Sequence, residues 1–339
     1  MQFSKLSICA MFAAAFCTGA LFAGGQSGGW RPSKPIRIIV PWEAGSSVDQ
    51  VTRITAAELG KEFKARFVFE NQPGDSGAIG IKSAMDAPKD GYTWAAGMTA
   101  DLATYRILGL LDTSIKNDWD IFVSLGNVGV IGVSANSRYQ TFDQLLADLK
   151  ANPGQISVAA AGQLSEGHIN MEVIRRFTGV NYKLAVYGDA KSAVAAAASG
   201  EVPVTTQSAA EQADMIRARR IRPLAVISDA DMNLEGYGVI PSIKKSVPNF
   251  SFGLNYFGIF IPKGVPPEVI TAITRIWNEK ISGSAELKKI AQERSLVLSP
   301  ASGDDAQDKA FGWYQPAAWL YFDAGSTAIS PNRAGIPRP

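Results

Sequence analysis

The sequence has few of the side chains on which most enzyme chemistry depends. It contains two cysteines and one histidine in 339 residues. Both cysteines, Cys9 and Cys17, lie near the N-terminus, inside a segment that we expect to be removed. Disulfides and thiol catalysis are then excluded from the mature chain, so its stability has to come from the hydrophobic core that a chain of this length can form.

Metal ligands and catalytic bases are equally scarce. Zinc normally requires several histidine or cysteine ligands, and His168 would be alone. The stretch 229–240 begins like a calcium loop but has Leu234 where glycine is needed and Ile240 where glutamate is needed. In the first turn of a helix, His168 would be a poor general base because the helix dipole disfavours its protonated form. We expect no metal, no cofactor and no catalysis.

Charge is sparse and evenly spread. Lys and Arg number 33 against 31 Asp and Glu, which gives a net charge of +2, and charged residues make up 19% of the chain. A nucleic-acid-binding protein normally concentrates basic residues on one face or tail. The short basic cluster at 217–222 surrounds a predicted helix end, where cations are favoured. We therefore expect no nucleic-acid partner.

Only one stretch of the chain is both long and apolar. Lys5 precedes an apolar segment that ends in small residues around Ala23, which is the layout of a cleavable secretory signal peptide. A segment of about 18 apolar residues would barely span a bilayer, and no cluster of positive charges follows it. The sequence therefore predicts a signal peptide over residues 1–23 and an exported mature protein.

The rest of the chain alternates between strand-like and helix-like segments. Residues 36–40 are a β-branched run typical of a buried strand, and 48–63 repeat apolar residues with helical spacing. Such alternation is typical of α/β proteins. The proline-containing tail from Ser326 is expected to fray. We predict an α/β fold of two lobes, each a mostly parallel sheet flanked by helices, with lobe 1 formed by 31–130 and 255–339 and lobe 2 by 131–254.

Two loops have the composition of anion sites built from backbone amides. The first, 41–50, follows the first predicted strand, and Ser47 and Gln50 can form a capping box there. The second, 159–168, again joins a strand, a run of small residues and a helix start. Helix N-termini at the carboxyl ends of parallel strands bind anions. The two loops therefore indicate carboxylate capture between the lobes, and the alternative is that both are ordinary strand-to-helix turns of an α/β fold.

Energetics require that both loops act together. One exposed helix N-terminus contributes only about 0.3–1 kcal/mol to anion binding, whereas micromolar affinity needs about 8 kcal/mol. Two loops that close around a desolvated carboxylate add several charge-assisted hydrogen bonds. Closure of two lobes about a hinge is a general way to achieve this.

The same segments resemble a known family. The motifs, in chain order, are KPIRIIVP at 34–41, GxxxD at 45–49, ENQPG at 70–74, GxxG at 77–80, APxDGYT at 87–93, the loop 162–168 and PxGxP at 262–266. Together they resemble the Bug-type solute-binding receptors of the tripartite tricarboxylate transporters. The resemblance implies a monomeric periplasmic receptor with a Venus-flytrap fold. It also implies a small carboxylate or amino acid as ligand and membrane permease subunits as partners.

The resemblance also assigns candidate ligand contacts by position. These are Trp42, Glu43, Ala44, Gly45, Ser46, Ser47, Thr99 and Ala100 in lobe 1, and Gly162, Gln163, Leu164, Ser165, His168, Tyr187, Gln207 and Ser208 in lobe 2. Asp49 is expected mainly to orient the first loop. The family usually has two prolines and two glycines at positions 43–46 of this loop. Here Glu43 would repel a polyanion, select a ligand with an amino or hydroxyl group, or face solvent.

Two other classes of function fit the same residues. The chain could be an exported α/β hydrolase or lyase, or a sensor that presents its ligand to a signalling partner. An enzyme should lose activity on His168→Ala, whereas a receptor should change only in affinity. A gene neighbourhood with two membrane subunits would argue against the sensor.

Overall fold

A computed structural model of the chain describes residues 29–162 and 165–339. The predicted signal peptide, residues 1–23, lies outside the described residues together with Cys9 and Cys17. The same holds for Gln163 and Leu164 of the second predicted loop. Within the described ranges, no helix combines the length and apolar character needed to cross a membrane.

Strands and helices alternate along most of the described chain. The strands are β1 (Ile36–Val40), β2 (Phe67–Asn71), β3 (Thr93–Met98), β4 (Trp119–Asn127), β5 (Val130–Ser134), β6 (Ser157–Ala160), β7 (Lys183–Val186), β8 (Val204–Thr205), β9 (Ile221–Val226), β10 (Met232–Leu234), β11 (Gly238–Ile240), β12 (Asn255–Pro262) and β13 (Val297–Ser302). The helices are α1 (Ser47–Phe63), α2 (Ala78–Asp86), α3 (Thr99–Leu108), α4 (Ile115–Asp118), α5 (Phe142–Ala151), α6 (Glu166–Thr178), α7 (Ala190–Ser199), α8 (Ala209–Arg217), α9 (Pro267–Ile276), α10 (Ala285–Arg294) and α11 (Gly303–Asp323). The predicted strand at 36–40 is confirmed as β1.

The strands form two main sheets that divide the chain. The first has the order β13-β4-β12-β3-β1-β2, so strands from both ends of the chain pair together. The second has the order β7-β6-β8-β5-β9 and is built from the middle of the chain. The chain passes from the first sheet to the second between β4 and β5, and returns through β12. This is the predicted two-lobed α/β fold, while the boundaries 31–130, 131–254 and 255–339 stay a prediction.

Both sheets are mixed, which corrects the prediction that each is mostly parallel. β1 pairs parallel with β2 and β3, and β6 pairs parallel with β7 and β8. In contrast, β12 pairs antiparallel with β3 and β4, and β5 pairs antiparallel with β8 and β9. The antiparallel strands are those that carry the chain between the lobes.

The first loop ends at a helix cap that differs from the predicted one. The Oγ of Ser46 accepts a hydrogen bond from the Asp49 amide at 3.2 Å, so Ser46 caps α1. The predicted Ser47/Gln50 capping box is therefore wrong by one residue. The Gln50 side chain donates instead to the carbonyl of Gly45 at 2.6 Å. Ser47 becomes the first residue of α1, with an amide that has no acceptor inside the helix.

The C-terminal segment packs against lobe 1 and is not frayed as predicted. The Trp319 indole donates to the carbonyl of Ile336 at 3.2 Å. The Ala328 amide donates to the carbonyl of Ile107 in α3 at 2.7 Å. Ile336 is only 5% exposed. These long-range contacts hold a tail whose proline content by itself predicts fraying.

Candidate functional site

A cavity of about 610 Å³ opens between the two lobes. Helices α1, α3, α6 and α8 begin at this space, and β4, β12 and α10 complete its wall. The lining residues of lobe 1 are Trp42, Ser47, Val48, Gln50, Val51, Met98, Asp101, Asn127, Asn255, Phe257, Ile290, Arg294 and Leu296. Those of lobe 2 are Glu166, Ser208, Ala210 and Glu211.

A larger groove of about 930 Å³ lies beside the C-terminal tail. Its lining comes from 103–121, Lys263 and 303–337, all of them parts of lobe 1. Movement of one lobe against the other would not close this groove. The smaller cavity is the better candidate for ligand capture because both lobes supply its walls.

Asp49 holds the first loop against α1. Its Oδ2 accepts the amide of Gly45 at 2.9 Å, and its carboxylate also accepts from Arg53 at 3.0 Å and from Asn71 at 3.1 Å. Asp49 is only 3% exposed. Burial would raise the pKa of this carboxyl, but the hydrogen bonds from Arg53, Gly45 and Asn71 keep the pKa below its usual value. Asp49 is therefore ionised and turned away from the cavity.

The first loop reaches the cavity at its two ends only. Trp42 and Ser47 line the cavity, whereas Glu43, Ala44 and Gly45 are exposed and are not part of its lining. Ser46 is occupied as the cap of α1. Of the open alternatives for Glu43, the structure shows the solvent-facing one.

Asn255, which the sequence analysis did not single out, bonds to the segment that follows β3. Thr99 and Ala100 are 1% and 6% exposed. The Ala100 amide donates to Oδ1 of Asn255 at 3.0 Å, and Oγ1 of Thr99 accepts from the Tyr256 amide at 3.1 Å. Asn255 lines the cavity at this point, whereas Thr99 and Ala100 are not among the described lining residues, and their ligand contacts stay a prediction.

In the second loop, Ser165 and His168 also make their contacts outside the cavity. Ser165 caps α6 through a 3.4 Å bond from the His168 amide, and its hydroxyl donates to the carbonyl of Gly162 at 2.9 Å. The His168 ring lies against Tyr182, with ring centroids 6.2 Å apart, and its Nε2 is 3.9 Å from Glu172. None of Gly162, Ser165 and His168 is among the described residues that line the cavity.

The remaining predicted contacts in lobe 2 differ in their placement. Ser208 lines the cavity and caps α8, where it forms a capping box with Glu211. Gln207 is 2% exposed, and its amide bridges Oε2 of Glu211 at 3.1 Å and the Ala161 amide at 2.9 Å. Tyr187 donates to Glu201 at 2.9 Å and packs against the small cluster of Ala159, Ala193, Ala196 and Val202. It is not among the described residues that line the cavity.

Each of the four helices that begin at the cavity carries its own acid in its first turn. The acids are Asp49 in α1, Asp101 in α3, Glu166 in α6 and Glu211 in α8. A carboxylate in this position is stabilised by the helix dipole. The last three line the cavity, so three of the four helix starts present a carboxyl group beside their amides.

The cavity acids are hard to ionise. Burial raises the pKa of Glu166 to about 8, and the charges of Glu211 and Asp101 contribute to this rise. Burial raises the pKa of Asp101 to about 7, and the Trp42 indole opposes this rise. Within the described ranges, the Nε1 of Trp42 has no acceptor with regular hydrogen-bond geometry. Burial also raises the pKa of Glu211. Because the three side chains keep some contact with solvent in the cavity, their protonation can respond to a bound ligand.

Two asparagines form adjacent parts of the cavity wall. Asn127 and Asn255 are paired in register across β4 and β12. Nδ2 of Asn127 donates to Glu166 at 2.8 Å, which ties the end of lobe 1 to the start of α6 in lobe 2. Oδ1 of Asn127 is buried and has no partner among the described residues. Residues opposite each other on neighbouring strands lie on one face, so both amides belong to the same patch of wall.

Of the cavity residues that the sequence analysis did not predict, two carry a recognisable sequence pattern and two do not. Asp101 directly follows the predicted pair 99–100, and Glu166 lies inside the predicted loop 159–168. An acid in the first turn of a helix is an ordinary N-terminal signal, so both could have been found. Asn127 and Asn255 left no local signal, because their place depends on strands far apart in the sequence.

The chain resembles known proteins over most of its length. BugT of Bordetella pertussis is 26% identical over 265 residues, which cover 77% of this chain and 81% of BugT. A TctC solute binding protein from Polaromonas, solved without ligand, aligns with a TM-score of 0.74 and 24% identity over 87% of this chain and 99% of that one. An R. palustris protein solved with adipate aligns with a TM-score of 0.65 and 22% identity over 87% and 98% of the two chains.

These similarities extend over most of the molecule and agree in kind. The fold is that of periplasmic solute-binding proteins, and nothing in the family or the fold indicates an enzyme. The profile of the tripartite tricarboxylate transporter family receptors matches residues 51–307, well over half of the sequence. The chain belongs to the receptors of the tripartite tricarboxylate transporter family.

Proposed function

We propose that the mature chain captures a small organic carboxylate in the interlobe cavity and delivers it to the membrane permease subunits of its transporter. Residues 1–23 would direct its export to the periplasm, where it would act as a monomer without catalysis. The observation that carries this function is the meeting of four helix starts, two from each lobe, at one cavity. The R. palustris structural neighbour that was solved with adipate supports a carboxylate as ligand.

The first contact for the carboxylate is the start of α1. Ser47 and Val48 line the cavity and are the first two residues of the helix. Their amides have no acceptor inside the helix, and the acid of this helix, Asp49, is turned away. Contacts from lobe 2 are added as the lobes close, because one helix start alone binds an anion too weakly.

A thermal-shift screen of the purified mature chain, residues 24–339, tests this function. Probes are mono- and dicarboxylates, amino acids, neutral sugars and divalent metal ions. We expect at least one small acid to raise the melting temperature, since a ligand at 100 times its dissociation constant adds about 2.7 kcal/mol of stability. Stabilisation by a sugar or a metal ion alone, with no response to any acid, would show that the ligand class is wrong.

A further inference from the structure

The interlobe cavity is bipolar. Its positive side is the start of α1, whose acid is withdrawn into the loop. Arg294, the only Lys or Arg among the described lining residues, reaches this side, since its guanidinium donates to the Oε1 of Gln50 in the first turns of α1. Its negative side consists of Asp101 from lobe 1 and of Glu166 and Glu211 from lobe 2.

The acids on the negative side line one cavity, to which lobe 1 contributes Asp101 and lobe 2 contributes Glu166 and Glu211. Both Asp101 and Glu211 disfavour the ionised form of Glu166. A ligand with a second carboxylate would add another negative charge to this cluster. Like charges in a desolvated site raise the free energy of the complex. A cationic group between Asp101 and Glu166 would relieve the repulsion and form charge-assisted hydrogen bonds with both lobes.

The asparagine wall supplies an independent observation that the cavity is built for a polar ligand. Asn255 is 7% exposed, and its Oδ1 is already held by the Ala100 amide. Its Nδ2 therefore has to serve as a donor, and no partner for it occurs among the described residues. Beside it, Oδ1 of Asn127 is an acceptor with no partner in the same ranges. An unpaired donor and an unpaired acceptor in one wall match a ligand that carries groups of both kinds.

Building on the function proposed above, we propose that the ligand is an amino-carboxylate, with its carboxylate at the start of α1 and its ammonium group between Asp101 and Glu166. Glu166 contacts both lobes, because it belongs to α6 of lobe 2 and accepts a hydrogen bond from Asn127 of β4 in lobe 1. An ammonium group bound to Glu166 and Asp101 would therefore interact with both lobes at once. The ammonium group thus draws the lobes together. A dicarboxylate of the same length lacks this effect.

Protons distinguish the two ligand classes. The charged and titratable groups on the negative side are Asp101, Glu166 and Glu211, together with Tyr321 of α11, whose own pKa is raised by burial and by the nearby Asp101 and Glu166. Arg294 is the cation on the opposite, positive side of the cavity. An ammonium group favours the ionised carboxylates, so its binding releases protons at neutral pH. A second carboxylate favours the protonated acids, so its binding takes protons up.

Isothermal titration of the mature chain at pH 7 with matched ligands tests the inference. The probes are 4-aminobutyrate and aspartate against succinate, and 6-aminohexanoate against adipate, each in two buffers that differ in ionisation enthalpy. We expect an amino member to bind about tenfold or more tightly than its dicarboxylate partner, the effect of one charge-assisted hydrogen bond, and to release protons. Tighter binding of succinate or adipate, or proton uptake with the amino ligand, would overturn the inference and leave the carboxylate receptor intact. Failure of every acid to bind would overturn both.

Glu166→Gln removes the charge and keeps the shape. We expect it to weaken the amino ligand by about tenfold or more and to reduce the preference over the dicarboxylate. Glu286→Gln is the matched control, because Glu286 also lies in the first turn of a helix but is exposed outside the cavity. If Glu166→Gln does not fold, Asp101→Asn in the other lobe gives the same readout. An unchanged preference in a folded variant would contradict the inference.

Discussion

At the scale of single residues, the cavity acids are the least expected feature. A receptor for anions is expected to present amides and cations, yet Asp101, Glu166 and Glu211 line this cleft. Each acid complements the amides of its own helix, as carboxylates at helix starts do. Ionisation of these acids in a poorly solvated space lowers the free energy of unfolding, and this effect depends measurably on pH.

The pH dependence of stability has a definite sign. Glu166 has a pKa of about 8 in the fold against a reference value of 4.5. Between the unfolded pKa and the folded pKa, the folded chain binds more protons than the unfolded chain. The contribution of protonated Glu166 to the free energy of unfolding is therefore complete below the unfolded pKa and is lost as pH rises through the folded pKa. Asp101, with a pKa of about 7, acts in the same direction.

Glu166→Gln should remove part of this dependence. Because glutamine resembles the protonated acid, the variant should match the wild type near pH 5 and exceed its melting temperature at pH 8. Calorimetry of the ligand-free proteins at both pH values checks this, with Glu286→Gln as the control that follows the wild type. A variant that gains nothing at pH 8 would show that Glu166 ionises without cost.

Substitution of Gly80 in α2 tests how closely this helix packs against the backbone at the start of the first loop. A Cβ at Gly80 would lie 2.9 Å from both the Pro41 Cα and the Gln72 carbonyl oxygen, which are backbone atoms at the ends of β1 and β2. Gly80→Ala should therefore lower the free energy of unfolding by about 1–3 kcal/mol, as overpacking does, even though alanine favours helices. Urea denaturation measures the change. Gly188→Ala, with no heavy atom within 4 Å of its Cβ, is the control and should be neutral.

At the scale of elements, the start of α1 is the anion contact that we propose. Ser47→Pro removes one cavity-facing amide, and proline is well tolerated at the first helical position. The preceding Ser46 is already extended, with φ −63° and ψ 163°, as a residue before proline requires. We expect about tenfold or greater loss of affinity for any carboxylate ligand with an unchanged melting temperature of the free protein.

Ser47→Ala is the matched control for this helix start. It removes the hydroxyl and keeps the amide, so it should bind the acid almost as the wild type does. Titration calorimetry on both variants separates the backbone amide from the side chain. Equal affinities of Ser47→Pro and wild type would mean that the carboxylate binds elsewhere in the cleft.

Sequence patterns predicted the elements better than their partners. The strand at 36–40 follows from neighbouring residues and appears as predicted. The antiparallel pairing of β12 with β3 and β4 joins residues more than 100 positions apart, and no local pattern encodes it. Asn255 takes its role from that pairing. The site was therefore predictable at the helix starts and unpredictable in the wall that the sheet provides.

At the scale of the whole molecule, two connections join the lobes. One runs from β4 to β5 through residues 128–129, and the other precedes β12. Such a layout permits rotation of one lobe against the other with little change inside either. Asn127, at the end of β4, bonds to Glu166 of lobe 2 beside the first connection.

Ligand binding should make the molecule more compact. Small-angle X-ray scattering of the mature chain should show a smaller radius of gyration at a saturating concentration of the acid that stabilises most in the thermal screen. Ser47→Pro at the same ligand concentration should stay closer to the free form. An identical radius with and without bound ligand would contradict capture by lobe closure.

The most direct test is a crystal structure of the mature chain with that acid. We expect the carboxylate of the ligand to lie at the amides of Ser47 and Val48 and its other end to contact Glu166 or Ser208 of lobe 2. A ligand seated in the groove beside the C-terminal tail, or held by one lobe alone, would contradict capture between the lobes.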